Sequence, residues 1–117
     1  MLKKVLAVED REHTQTYWED MLSGKVELIF ASSIQEAEEK FVANPDIVAI
    51  VMDACVPGAM PNTMPLVEKF RAKFTGPMIA TSNDDTFCEE LVQAGCNHKC
   101  GKNSVPQKLC EILGLQV

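Results

Sequence analysis

Residues 47–58 read IVAIVMDACVPG. Six apolar residues in succession, Ile47 to Met52, show neither the alternation of a half-buried strand nor the 3.6 period of a helix. A short run of this kind, ended by a turn signal, is expected to be a strand covered on both faces, as in a parallel sheet. Asp53 closes the run, and the loop DACVPGAMPN (53–62) follows it.

The segments on either side repeat the theme. Val5–Val8 is a short apolar run ended by Glu9 and Asp10. Arg11–Leu22 places Thr14, Trp18, Met21 and Leu22 on one helical stripe, with Gly24 as its stop. Val26–Phe30 alternates like a strand. Ser33 with Glu36 forms a capping box ahead of Ile34, Ala37, Phe41 and Val42, and Asn44-Pro45 ends that helix. After the central run, Leu66, Val67, Phe70 and Phe74 mark a helix closed by Thr75-Gly76-Pro77. Met78–Thr81 is the next apolar run, and Asn83 or Asp84 caps a helix that buries Phe87, Leu91, Val92 and Ala94 and stops at Gly95. Residues 96–101 form the weakest strand. Ser104 with Gln107 reads as a second capping box, before Val105, Leu109, Ile112 and Leu113. Five strand–helix units in alternation predict an α/β fold: one doubly wound, five-stranded parallel sheet in three α/β/α layers, formed by residues 1–117 as a single domain.

Composition narrows the function. The 117 residues are 46% apolar and 24% charged, as expected of a globular chain, and aromatics are only 6%. Eleven Lys and Arg against seventeen Asp and Glu leave a net charge of −6, which argues against nucleic-acid binding. No apolar run approaches the ~20 residues of a membrane span, so no membrane role is expected. The start, MLKKVLAVED, is too short in apolar residues for a signal peptide and is read as a mature cytoplasmic start. Five cysteines without a regular framework are read as free thiols in a reducing compartment. No DNA-binding segment is expected after the last helix.

In a doubly wound sheet, ligands sit beyond the C-terminal ends of the strands. Glu9 and Asp10 follow the first run, Asp53 the third, Thr81 and Ser82 the fourth, and Lys102 the fifth. Three converging carboxylates repel one another unless a cation intervenes. Mg²⁺ resolves this with one or two carboxylates and leaves positions for phosphate oxygens. Lys102 offers a mobile positive charge and Ser82 a hydroxyl, the groups that phosphoryl transfer uses, and Asp53, after the most buried strand, is the candidate nucleophile.

These pieces together — the acidic pair in VLAVED, VAIVMDACVPG, the hydroxyl in MIATSND and the lysine in CGKNS — resemble the receiver domain of two-component response regulators, along essentially the whole chain. The resemblance implies a flavodoxin-like, CheY-like fold. It implies that Asp53 accepts a phosphoryl group from a phosphohistidine. Asp10, Asp53 and the main-chain carbonyl of Cys55 would bind Mg²⁺, with Glu9 acting through water. Ser82 (alternatively Thr81; the spacing from Pro77 favours Ser82) and Lys102 would contact the phosphoryl oxygens. The chain would catalyse only its own phosphorylation and dephosphorylation. Its partners would be a histidine kinase or phosphotransfer protein and a downstream protein target, the latter reading the face of the fourth helix, fifth strand and fifth helix.

Two positions depart from the family. Asn103 stands where a proline usually follows the lysine, and Lys99 where an aromatic switch residue is usual. A degenerate receiver acting as a phosphorylation-independent interaction module is therefore the alternative reading. An aspartate-based phosphatase would place two aspartates after the first strand, and a flavin module would need a phosphate-cradling loop there. If 96–101 is a strand, Cys96, His98 and Cys100 share one face, yet partly buried thiols are preferred to a metal site because no further ligand pair stands out. Trp18, Phe41 and the methionines are read as core, and His13 as an exposed helix residue.

Overall fold

The computed structural model describes residues 2–56 and 60–116. Pro57 and Gly58, part of the receiver-like signature, lie outside the described residues. The elements run β1 (Lys3–Val8), α1 (Glu12–Leu22), β2 (Val26–Ala31), α2 (Ile34–Ala43), β3 (Ile47–Asp53), α3 (Met64–Arg71), β4 (Met78–Thr81), α4 (Asp85–Ala94), β5 (His98–Cys100) and α5 (Val105–Leu113), with a 3₁₀ turn at Lys102–Ser104 before α5. The five strands are parallel in the order β2-β1-β3-β4-β5.

Alternation along the strands divides the core into two layers. Leu6, Val8, Ile50, Met52, Met78 and Ala80 face Ala37, Leu66, Val67, Phe70, Cys88 and Leu91 of α2, α3 and α4. Val5, Ala7, Ala49, Val51 and Ile79 face Trp18, Leu22, Val105, Leu109 and Cys110 of α1 and α5. The run from Ile47 to Asp53 is the central strand expected of it, and Ala49 to Met52 are fully buried. The chain order turns back on itself between β1 and β3, which opens a crevice at their C-terminal ends.

Local signals explain most boundaries. The Ser33 hydroxyl accepts from the Glu36 amide at 3.1 Å, while the Glu36 carboxylate reaches back one residue further, to the Ser32 amide at 2.7 Å. Asp84 caps α4 through the Thr86 amide at 2.8 Å. Gly95 ends α4 at φ 146°, and a Cβ there would meet the Arg71 side chain at 3.1 Å. Arg71 fills that space because it donates to the carbonyls of Gly95, Phe74 and Gly76 at 2.8–2.9 Å.

Several expectations are corrected. Helix α3 ends at Arg71, so Phe74 is no longer helical; it packs edge-on against Phe41. Ser104 caps nothing, because its backbone is already helical at φ −99°, ψ −2° within the 3₁₀ turn. Val42 is 78% exposed, since five residues of helix carry it about 140° away from buried Ala37. Met21 is exposed beside the shallow groove between α1 and α5. Cys96, His98 and Cys100 do not share a face. The strand begins only at His98; Cys96 precedes it and packs on the α4 side, whereas Cys100 packs on the α5 side. All five cysteines are free. Burial raises the Cys96 thiol to about 12 and the Cys100 thiol to about 11, so both are neutral packing groups. No helix among the described residues is long and apolar enough to cross a membrane.

Candidate functional site

Glu9, Asp10 and Asp53 meet at the β1–β3 crevice, each offering a carboxylate oxygen within 4.8 Å of the others. Glu9 is fully buried yet firmly anchored. Its amide donates to the Ala31 carbonyl at 2.9 Å, its carbonyl accepts from Gln15 Nε2 at 2.6 Å, and its Oε2 accepts from the Arg11 amide at 3.0 Å. Asp53, 3% exposed, takes the Cys55 amide on Oδ1 at 3.3 Å. Asp10 is half-buried, and its Oδ1 is buried with no hydrogen-bond partner among the described residues.

Lys102 arrives from the turn after β5. Its Nζ lies 3.1 Å from Asp53 Oδ2 and 2.8 Å from Glu9 Oε1. Burial works against the ammonium, but the two carboxylates outweigh it and hold the Lys102 pKa above its ordinary value. Asp53 shifts upward to about 6. Burial is the main cause and the nearby Glu9 charge adds to it, while Lys102 only partly compensates.

Ser82 and Thr81 occupy different environments. Ser82 lines a hollow of about 200 Å³ together with Asp53, Cys55 and Lys102. Its hydroxyl accepts the Asp84 amide at 3.2 Å. Thr81 is the last strand residue, paired with Asp53 across β3–β4, fully buried, and its hydroxyl has no partner among the described residues. Cys55 lines the same hollow, and burial followed by the charge of Asp53 raises its thiol pKa.

Other residues complete the site without having been singled out for it. Arg11 and Phe87 line the hollow. Thr63 is fully buried, and its hydroxyl lies 2.8 Å from the Asp53 carbonyl and 3.1 Å from that of Ala54. Asn62 closes the loop by exchanging hydrogen bonds with the Val56 backbone at 2.9 and 2.7 Å. Trp18, expected to be core alone, also donates its indole N–H to the Lys102 carbonyl at 2.8 Å. Nothing in the spacing of Thr63 or Asn62 distinguishes them from ordinary helix-start residues. Arg11 could have been suspected from its place directly after Asp10.

Lys99 is turned away from the site. It pairs with Asp85 at 3.0 Å and with Glu89, both on α4.

No protein-family model matches the sequence. No curated protein matches it either. Solved structures do match its fold. A two-component response regulator from Clostridium difficile superposes with a TM-score of 0.81 at 18% identity, over 96% of each chain. The BeF₃-activated N-terminal receiver domain of RstA from Klebsiella pneumoniae gives 0.78 at 20% identity, again over 96% of each chain. The N-terminal domain of a response regulator/sensory box/GGDEF three-domain protein from Carboxydothermus hydrogenoformans gives 0.74 at 19%, over 96% of this chain and 91% of that one. With its strand order and its helices on both faces, the chain has the flavodoxin-like, CheY-like fold of response-regulator receiver domains.

Proposed function

We propose that residues 1–117 form a phosphoacceptor receiver domain of two-component or phosphorelay signalling. Asp53 is its acceptor. A carboxylate oxygen of Asp53 attacks the phosphorus of a phosphohistidine, the P–N bond breaks, and the imidazole leaves with the bonding pair. The product is an acyl phosphate on Asp53, which water later hydrolyses. At neutral pH the Asp53 carboxyl is mostly ionised despite its raised pKa of about 6, so it is a competent nucleophile. Lys102 supplies positive charge to a phosphoryl oxygen, and Ser82 a hydroxyl donor beside the same hollow.

The donor set fits a hard divalent cation. All three side chains offer oxygen, they lie within 4.8 Å of one another, and Asp10 Oδ1 is buried without a partner. Asp10, Asp53 and the Cys55 carbonyl would hold Mg²⁺, with Glu9 acting through water. When bound, Mg²⁺ would neutralise charge on the phosphoryl oxygens. The chain is then no general enzyme and acts only on its own phosphorylation state. Its partners are a histidine kinase or phosphotransfer protein and a downstream protein target, and its free thiols suit the cytoplasm.

One observation carries this reading: a lysine ammonium bridges two buried carboxylates at the crevice of the sheet. The test is intact-mass analysis after incubation with Mg²⁺ and acetyl phosphate. One added phosphoryl group is expected, and none in Asp53→Asn. No uptake, together with no binding of beryllofluoride, would leave the second reading, a phosphorylation-independent interaction module. The clamping of Lys99 by Asp85 and Glu89 favours that reading, because it ties β5 to α4 with no aromatic side chain at that position.

A further inference from the structure

We infer that Trp18 is the positioning residue of Lys102: its indole N–H, 2.8 Å from the Lys102 carbonyl, fixes the turn from which the ammonium reaches Glu9 and Asp53. The inference builds on the proposed role of Lys102 and adds the group that aims it.

A lysine ammonium sits at the end of a flexible four-carbon stem, so its location depends on how firmly its backbone is held. Little in the sheet holds this backbone. The strand before it, β5, is three residues long and lies at the sheet edge. The turn is a single 3₁₀ turn, with the Ser104 amide donating to the Gly101 carbonyl at 3.0 Å. The side-chain hydrogen bonds to its carbonyls come from α1. The Lys102 carbonyl accepts from Trp18, and the Asn103 carbonyl accepts from the Tyr17 hydroxyl at 3.3 Å, so two adjacent residues of one helix grip two adjacent carbonyls.

The two bonds are unequal. Tyr17 is 39% exposed, and water can replace its contact. Trp18 is fully buried among Leu22, Val105 and Leu109, where its N–H would otherwise be an unpaired buried donor. Such a donor loses its full solvation, so the bond is costly to break from either side. The indole also donates only, so it can hold nothing but an acceptor such as this carbonyl. The carboxylates have separate anchors: Glu9 is fixed by Ala31 and Gln15, and Asp53 by Cys55 and Thr63. Helix α1 therefore aims the cation through Trp18 and also braces Glu9 through Gln15, whereas Asp53 is held from the loop that follows β3.

The test compares wild type, Trp18→Phe and a protein carrying benzothienylalanine at position 18, which keeps the fused ring and exchanges N–H for sulfur. In the metal-free proteins, ¹⁵N relaxation of the Lys102 ammonium should show greater mobility in both variants. With Mg²⁺ present, affinity for beryllofluoride should fall about tenfold, the loss of one hydrogen bond, while affinity for Mg²⁺ alone changes less than about twofold. A packing role alone would lower thermal stability without moving the Lys102 signal. Unchanged Lys102 mobility in the benzothienylalanine protein would overturn the assignment. Failure of wild type to bind beryllofluoride would overturn the proposed function instead, and the metal-free measurement would still decide the role of Trp18.

Discussion

Glu9 and Asp53, both buried, share one counter-charge, the Lys102 ammonium at 2.8 Å from the first and 3.1 Å from the second. Two carboxylates against one ammonium leave an excess negative charge in a place where water screens little. Asp10 adds a third carboxylate to the same crevice. The metal-free site is therefore electrostatically incomplete, and the imbalance has measurable consequences.

The first concerns stability against pH. The folded pKa of Asp53 is about 6, against about 3.9 for an unfolded aspartate. Between these values the native state binds more protons than the unfolded one, so stability falls as pH rises through that window. The cost is fully present above the folded pKa. Asp53→Asn should therefore stabilise the metal-free protein by on the order of 1–3 kcal/mol near pH 7.5 and by little near pH 4. Urea denaturation in the presence of a chelator, at both pH values, measures the difference. An Asn variant with the same gain at both would show that ionisation of Asp53 costs nothing.

Cation binding is the second. A divalent ion that binds only the folded state raises stability with its concentration, by about 2.7 kcal/mol at a hundredfold excess over its dissociation constant. Mg²⁺ should raise the denaturation midpoint of wild type more than Na⁺ does at equal ionic strength. Asp10→Asn should lose most of that increment, because it neutralises the carboxylate whose Oδ1 has no partner within the described residues. Calorimetric titration with Mg²⁺ gives the same comparison directly. Equal Mg²⁺ affinity in the two proteins would remove Asp10 from the ligand set.

Much of the architecture was legible because this fold writes one pattern repeatedly. Ile47–Met52, six apolar residues ended by a turn signal, reads as a doubly covered strand, and Met78–Thr81 is bounded by Pro77 on one side and polar residues on the other. The acids were placed by the same logic, since they end apolar runs. What stayed hidden depends on contacts between distant parts of the chain. Ser104–Gln107 has the letters of a capping box, but the turn that aims Lys102 takes Ser104 into a helical conformation first. Trp18 reads as a core residue, and its second duty exists only because a carbonyl 84 residues away arrives beside it. The spacing of Cys96, His98 and Cys100 suggests one face only if the strand is two residues longer than it is.

Thr63 supports a third prediction. Its buried hydroxyl reaches two successive carbonyls, of Asp53 and Ala54, and so holds the backbone where strand β3 gives way to the loop. The Ala54 carbonyl also accepts the Asn62 amide at 2.9 Å. Thr63→Val keeps the side-chain shape and removes the donor, leaving the Asp53 carbonyl without that bond. It should cost about 1–3 kcal/mol in denaturant titrations, whereas Thr63→Ser should retain most of the stability. Equal losses in Val and Ser would assign the effect to packing of the methyl group.

Lys99 supports the fourth. It lies on the edge strand and reaches two acids, Asp85 and Glu89, which are four residues apart and so on one side of α4. Those carboxylates hold the Lys99 pKa above its ordinary value, so the ammonium stays charged throughout the accessible pH range. The pairs are open to solvent and contribute little to global stability. Their effect is local, because Asp85 belongs to the first turn of α4, beside the hollow lined by Ser82, Asn83 and Asp84. Lys99→Ala should leave the melting temperature nearly unchanged and speed hydrogen exchange severalfold in the first turn of α4, an opening far below the global unfolding free energy. High salt should produce part of the same acceleration in wild type and none in the variant. Exchange that is identical in the two proteins at low salt would mean that the pairing does not restrain α4.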